Sequence, residues 1–164
     1  MPIPSRVLLR NTPENVVATA FSSTASCQQL LSHTSVTKMQ PPYTIWLTQI
    51  EQIHRFVYHI PNLAWELMDY ATEPLSLIYK QAKPLFTNEA APREVCIRLI
   101  AEPFLRKQLT GQHAYLAVAL ERIKDEFPIT DWVDQEIDMS RVLKGTRPVR
   151  VMRIYDNGEF SFVP

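Results

Sequence analysis

The sequence predicts an α/β domain built on an open, twisted, mixed sheet with flanking helices. Three observations predict it. Apolar and β-branched runs alternate with helical patterns, as expected of strands connected through helices. The chain closes on a hairpin, residues 149–155 and 159–163 around Asp156-Asn157-Gly158, which puts an antiparallel pair into the sheet. At 164 residues, 46% apolar and 21% charged, the chain is long enough for a real core, and residues 1–164 are read as a single domain.

The elements follow in order. Val7-Leu8-Leu9 reads as a short buried strand. Residues 23–32 read as a helix with Ser23 or Thr24 as N-cap and Cys27, Leu30 and Leu31 on one side. Residues 43–47 are aromatic and β-branched, hence a strand. Thr48-Gln49-Ile50-Glu51 has the form of a capping box and opens a helix through Val57. Pro61 fits the first turn of a helix to about Tyr70 that buries Leu63 and Leu67, with Trp65 or Met68 as a further buried position. Residues 74–79 and 94–99 are the next strands. Pro103 opens a helix to about Thr110, closed by Gly111. Residues 115–120 read as a strand, and residues 129–135 as a short helix capped by Thr130.

Composition narrows the chemistry. There are three glycines, none before Gly111, so two-thirds of the chain has no glycine-rich phosphate cradle. The formal net charge is zero, so the chain as a whole makes no electrostatic case for a polyanion. Charge is unevenly spread, however. Eleven of the 17 Lys and Arg lie from Arg93 onward, and Arg141, Lys144, Arg147, Arg150 and Arg153 follow one another with no acid between them. Seven acids lie between Glu121 and Asp138. The basic strip reads either as the solvated partner of those acids or as a phosphate contact. Cys27 and Cys96 sit in apolar surroundings without metal-ligand spacing, as a buried reduced pair in a cytosolic protein would. The four histidines give no zinc spacing, and no Gly-x-Ser-x-Gly elbow occurs. No apolar run approaches a membrane span and no secretory signal is read, so a cytoplasmic protein off the membrane is expected.

Glu51-Gln52, Ile60-Pro61, Trp65 and Pro74-Leu75-Ser76-Leu77-Ile78 are followed by Val95-Cys96-Ile97-Arg98 and by Gly158-Glu159-Phe160. In order and spacing this pattern resembles the YrdC-like family, over roughly Val7 to Val163. Better known members of that family make threonylcarbamoyl-AMP from threonine, bicarbonate and ATP for tRNA modification. The resemblance implies a YrdC-like open mixed sheet. It also implies a ligand site for which Thr12, Ser76 and Arg98 are the residues that remain.

Most of the family's ligand motifs are replaced. Its Thr-Asp-Thr-x-Tyr-Gly loop falls on residues 12–17, where only Thr12 survives. Its Lys-x-Arg falls on Ser35-Val36-Thr37, and its Ser-x-Ser-Ala-Asn on residues 116–120, which are apolar throughout. The Thr of Pro-Gly-Pro-Leu-Thr becomes Ser76, which keeps a hydroxyl. A lost charged hydrogen bond costs about 1.5–3 kcal/mol, so four or five exceed the roughly 8 kcal/mol of a micromolar nucleotide.

The resulting expectation is a divergent, non-catalytic YrdC-like protein that needs no cofactor and binds a small anionic ligand, RNA or tRNA, or a protein partner. The alternatives are an enzyme of threonylcarbamoyl-AMP synthase type and a structural or assembly protein, with a homodimer as one form. The ligand residues are expected to be Thr12, Ser76 and Arg98, around a small cleft that Val118 also lines. Arg98, on an apolar strand, needs either an acid such as Glu73 or Glu102 or a ligand. The nucleic-acid contacts are expected at Lys144, Arg147 and Arg150.

Overall fold

The computed structural model describes residues 5–10, 15–35, 42–70, 75–86, 89–109, 113–140 and 149–163. Nine strands lie in them: β1 (Arg6–Arg10), β2 (Val16–Ala20), β3 (Thr44–Leu47), β4 (Leu75–Tyr79), β5 (Val95–Leu99), β6 (Tyr115–Ala119), β7 (Gln135–Asp138), β8 (Arg150–Ile154) and β9 (Phe160–Val163). The helices are α1 (Thr24–Ser32), α2 (Asn62–Tyr70), α3 (Pro103–Leu109) and α4 (Ile129–Trp132). All nine strands form one sheet in the order β7-β1-β2-β6-β3-β5-β4-β8-β9. The pairs β1–β7, β3–β5 and β4–β8 are parallel and the rest antiparallel, so the sheet is mixed, as the C-terminal hairpin requires. That hairpin turns at Gly158, whose φ of +88° is a conformation L side chains rarely adopt.

Alternation along each strand sorts the side chains onto two faces. One face carries Leu8, Val17, Ile45, Leu77, Ile97, Leu116, Val118 and Met152 beneath α1, α2 and α4, with Cys27, Leu30, Ala64, Met68 and Trp132 as the helical contribution. The opposite face carries Val7, Leu9, Ala18, Trp46, Tyr115 and Ala117 beneath α3, which contributes Leu105 and Leu109. Both cysteines are free and buried. Among the described residues no helix is long and apolar enough to cross a membrane.

Several local expectations are corrected. Val16 and Val17, aligned with the end of the family's ligand loop, instead open β2, held between β1 and β6 on both of its edges. Residues 129–135 do not form one helix. α4 stops at Trp132 with Pro128 at its N-cap, Thr130 lies inside it, and Gln135 already belongs to β7. Propensity misleads at β7, because its strand conformation comes from parallel pairing with β1. Its charges are matched by Arg6–Asp134 at 3.0 Å and Arg10–Glu136 at 3.1 Å. Asp134 and Glu136 therefore pair with β1. The segment after Thr48 is a 3₁₀ helix, Ile50–Arg55, and the side chain that reaches back is Gln52, not Glu51. Its Oε1 accepts from the backbone N–H groups of Thr48 (2.9 Å) and Gln49 (3.2 Å). Helix α2 buries Met68, one of the two further positions expected, together with Ala64, whereas Leu63 and Leu67 are only half-buried.

Candidate functional site

The register across the sheet places seven residues in one row on the face that bears α3. Val163 pairs with Val151, Val151 with Ser76, Arg98 with Trp46, Trp46 with Tyr115, and Tyr115 with Ala20. The β4–β5 register, Leu77 opposite Ile97, sets Ser76 opposite Arg98. The row changes character at Trp46. On the β6, β2 and β1 side it is part of the apolar cluster under α3. On the β5, β4 and β8 side the same face presents Arg98, Cys96, Ser76 and Arg153, together with Ile78, which belongs to neither core cluster.

Arg98 is the centre of this polar half. Its guanidinium carbon stands 5.6 Å from the centre of the Trp46 ring, an attractive cation–π contact. Trp46 is itself 4% exposed and fixed in the α3 cluster, so the platform is rigid. Among the described residues no carboxylate forms an ion pair with Arg98. Glu102, one of the two acids the sequence offered, is committed elsewhere. Its carboxylate accepts from the N–H groups of Phe104 (3.1 Å) and Leu105 (2.6 Å) and so caps α3. Glu73 lies outside the described residues. Burial pushes the Arg98 guanidinium down to about 10, with only the Cys96 thiol acting in the other direction. Holding Arg98 charged near neutral pH therefore costs stability.

The neighbours are hydroxyls and a thiol. Ser76 is 4% exposed and shares this face with Cys96 on the neighbouring strand, and Thr44 Oγ1 donates to Cys96 Sγ at 3.8 Å. Burial pushes the Cys96 thiol up to about 11, which makes it a poor nucleophile near neutral pH. A second cation, Arg153, shares the face but is spoken for. Its Nε lies 2.6 Å from Glu94 Oε2 in a half-buried pair. Among the described residues the polar half thus offers one cation without an acid partner, an aromatic floor and two hydroxyls.

The candidate residues from the sequence divide accordingly. Ser76 and Arg98 come together across adjacent strands. Thr12, Lys144 and Arg147 lie outside the described residues. Val118 points to the opposite face, into the core under α1 and α2, and does not line this site. Arg150 shares the parity of Met152 and so also faces away from Arg98, with its guanidinium 4.4 Å from the Phe162 ring. Ser35, aligned with a basic family position, uses its N–H (2.7 Å) and its hydroxyl (3.0 Å) on the Arg122 carbonyl. No site role is read from the sequence for Thr44, Trp46 and Cys96: two-residue periodicity along β5 puts Cys96 on the face of Arg98, whereas Thr44 and Trp46 reach it only through the β3–β5 pairing.

The same architecture occurs in solved structures. E. coli YciO superposes with a TM-score of 0.64 at 14% identity, over 98% of this chain and 82% of that one. The chain has the YrdC-like fold. A full-length HypF in a phosphate- and nucleotide-bound form matches it with a TM-score of 0.64 at 11% identity over 97% of this chain. P. abyssi Sua5 complexed with L-threonine matches with a TM-score of 0.60 at 15% identity over 92% of this chain. The chain spans 26% of the length of that HypF and 47% of that Sua5. No protein-family model and no curated protein sequence matches the chain. Sequence divergence within the YrdC-like fold is thus deep, and the site has to be read from its own residues.

Proposed function

We propose that this chain is a non-catalytic YrdC-like domain that binds a small carboxylate at Arg98. The observation that carries this reading is Arg98 itself: a cation on the polar half of the α3-bearing face, stacked on Trp46, opposite Ser76, with no ion-pair partner among the described residues. One fixed cation beside hydroxyl donors suits a single carboxylate better than a triphosphate, which requires several positive groups and Mg²⁺. The replacement of the family's basic pair by Ser35 and Thr37 supports the same reading. The threonine complex of P. abyssi Sua5 makes threonine the first ligand to try.

The test is calorimetric titration and thermal melting with threonine and with simple carboxylates. A carboxylate at a hundred times its dissociation constant should stabilise the protein by about 2.7 kcal/mol. Arg98→Ala should abolish that gain while changing the stability of the free protein by no more than about 1 kcal/mol. Threonine, bicarbonate and ATP together should release no pyrophosphate. Release dependent on all three substrates would establish a synthase instead. A large loss of stability in Arg98→Ala, with no carboxylate bound by the wild type, would make Arg98 structural.

A further inference from the structure

The two edges of the sheet are built differently. At one edge, β7 is acidic, with Glu136 and Asp138 exposed, and a second β7 brought alongside would meet like charge. At the other edge, β9 reads Phe160-Ser161-Phe162-Val163 and carries no charge at all. Natural edge strands are normally guarded by charge, proline or a bulge, and β9 has none of these between its ends. Phe160 is 49% exposed and Phe162 53%, and their rings meet edge to face at 6.1 Å.

The backbone of β9 points the same way. Tyr155 N–H donates to the Glu159 carbonyl at 2.8 Å, so Glu159 turns its polar groups toward β8. Alternation in an antiparallel pair then turns Ser161 and Val163 toward β8 as well. The N–H and C=O groups of Phe160 and Phe162 face the open edge. Within β9, the two residues whose backbone groups face outward are therefore the two with exposed aromatic side chains.

We propose that two copies of this chain pair through β9, antiparallel about a two-fold axis at Ser161. This register makes Phe160 of each copy a hydrogen-bonded pair with Phe162 of the other, so all the outward backbone groups of both residues are satisfied. It gathers four phenylalanines on one face, where aromatic cross-strand pairs are favourable. The arrangement is isologous and closes on itself, and because β9 is uncharged it brings no like charges together along the strand. The four half-exposed rings supply on the order of 400 Å² of apolar surface. This falls short of the roughly 1,200 Å² of a standard interface, so the dimer dissociates on dilution.

Sedimentation of the intact chain across a concentration series tests the assignment. The wild type should move from monomer toward dimer as concentration rises. Phe162→Asp should stay monomeric throughout, and Phe160→Ser should dimerise more weakly, both with unchanged circular dichroism and melting. Ser161→Cys tests the register, because the axis sets the two copies of this residue directly opposite at about 4.5 Å between Cα atoms, within reach of a disulfide. Mild oxidation should link that variant into a covalent dimer, with the native thiols of Cys27 and Cys96 buried out of reach. A monomer at every concentration would overturn the proposal. So would a dimer that survives Phe162→Asp, a dimer whose Ser161→Cys form does not cross-link, or a head-to-tail series of larger species.

Discussion

The two halves of the face under α3 share one sheet and one row of paired residues, yet they have opposite chemistry. From Trp46 through Tyr115 to Ala20 the row is apolar and covered by Leu105 and Leu109. From Arg98 to Ser76 it is polar, and its principal cation has no acid partner among the described residues. The apolar half secures the fold and the polar half spends stability. Trp46 belongs to both, as a core residue on one side and as the platform for Arg98 on the other. A divergent chain can keep the first half by hydrophobic burial alone, with few demands on residue identity. The second half gains no such stability from burial.

Substitutions along the row should separate the halves. Trp46→Ala should have the largest effect, a loss of about 4 kcal/mol in urea unfolding, because it empties a large buried site. It should also weaken carboxylate binding, since Arg98 loses its floor. Unchanged affinity in a folded Trp46→Ala protein would show that the halves are independent. Leu109→Ala should cost about 3 kcal/mol and leave the dissociation constant of the ligand unchanged, because it touches only the apolar half.

Alkaline pH should act on the polar half through Cys96. Its thiol is raised from an ordinary 9.0 to about 11 by burial. A raised pKa means that the folded state holds the proton longer than the unfolded one. The associated stability is present below pH 9 and is lost as pH rises toward 11. The Arg98 guanidinium, depressed to about 10, acts with the opposite sign, its cost being relieved only as pH rises past that value. Stability measured from about pH 8 to pH 10 should therefore fall, and Cys96→Ala should flatten part of the slope. An identical slope in Cys96→Ala would assign the effect to other groups such as Cys27, whose thiol burial raises to about 12.

The smallest effect should come from Ser76→Ala. Loss of one hydroxyl should weaken carboxylate binding by about 1 kcal/mol, roughly fivefold. The melting temperature of the free protein should hardly move. A Ser76→Ala protein that binds as tightly as the wild type would leave Arg98 as the only contributor.

Much of the sheet was legible because its strands are short apolar runs between strong punctuation. β4 and β5 fall where the sequence placed them, and so does the hairpin of β8 and β9 around Asn157-Gly158. What was not legible is instructive. β7 is polar and acidic, and only its pairing with β1 makes it a strand. The start of β2 is hidden by alignment of Val16 and Val17 to a loop, although Val16-Val17-Ala18-Thr19-Ala20 has adequate strand propensity. At the site, Ser76 and Arg98 were read as neighbours and the register sets them opposite each other. Val118 was assigned to the same cleft, but the parity of β6 turns Tyr115 and Ala117 toward that face and Val118 away from it.

Residue chemistry along the chain was enough for most of the strands, the mixed character of the sheet and the choice of Arg98 as a residue needing a partner. Each of these rests on local signals: turn residues, periodicity and the cost of burying a charge. Strand order, face parity and the Trp46 platform came from pairing between segments far apart in the chain. A shift of register by one residue would send Arg98 to the other face with no change in composition. No local signal carries that information, because it is set by which strands share hydrogen bonds and by which apolar set is buried.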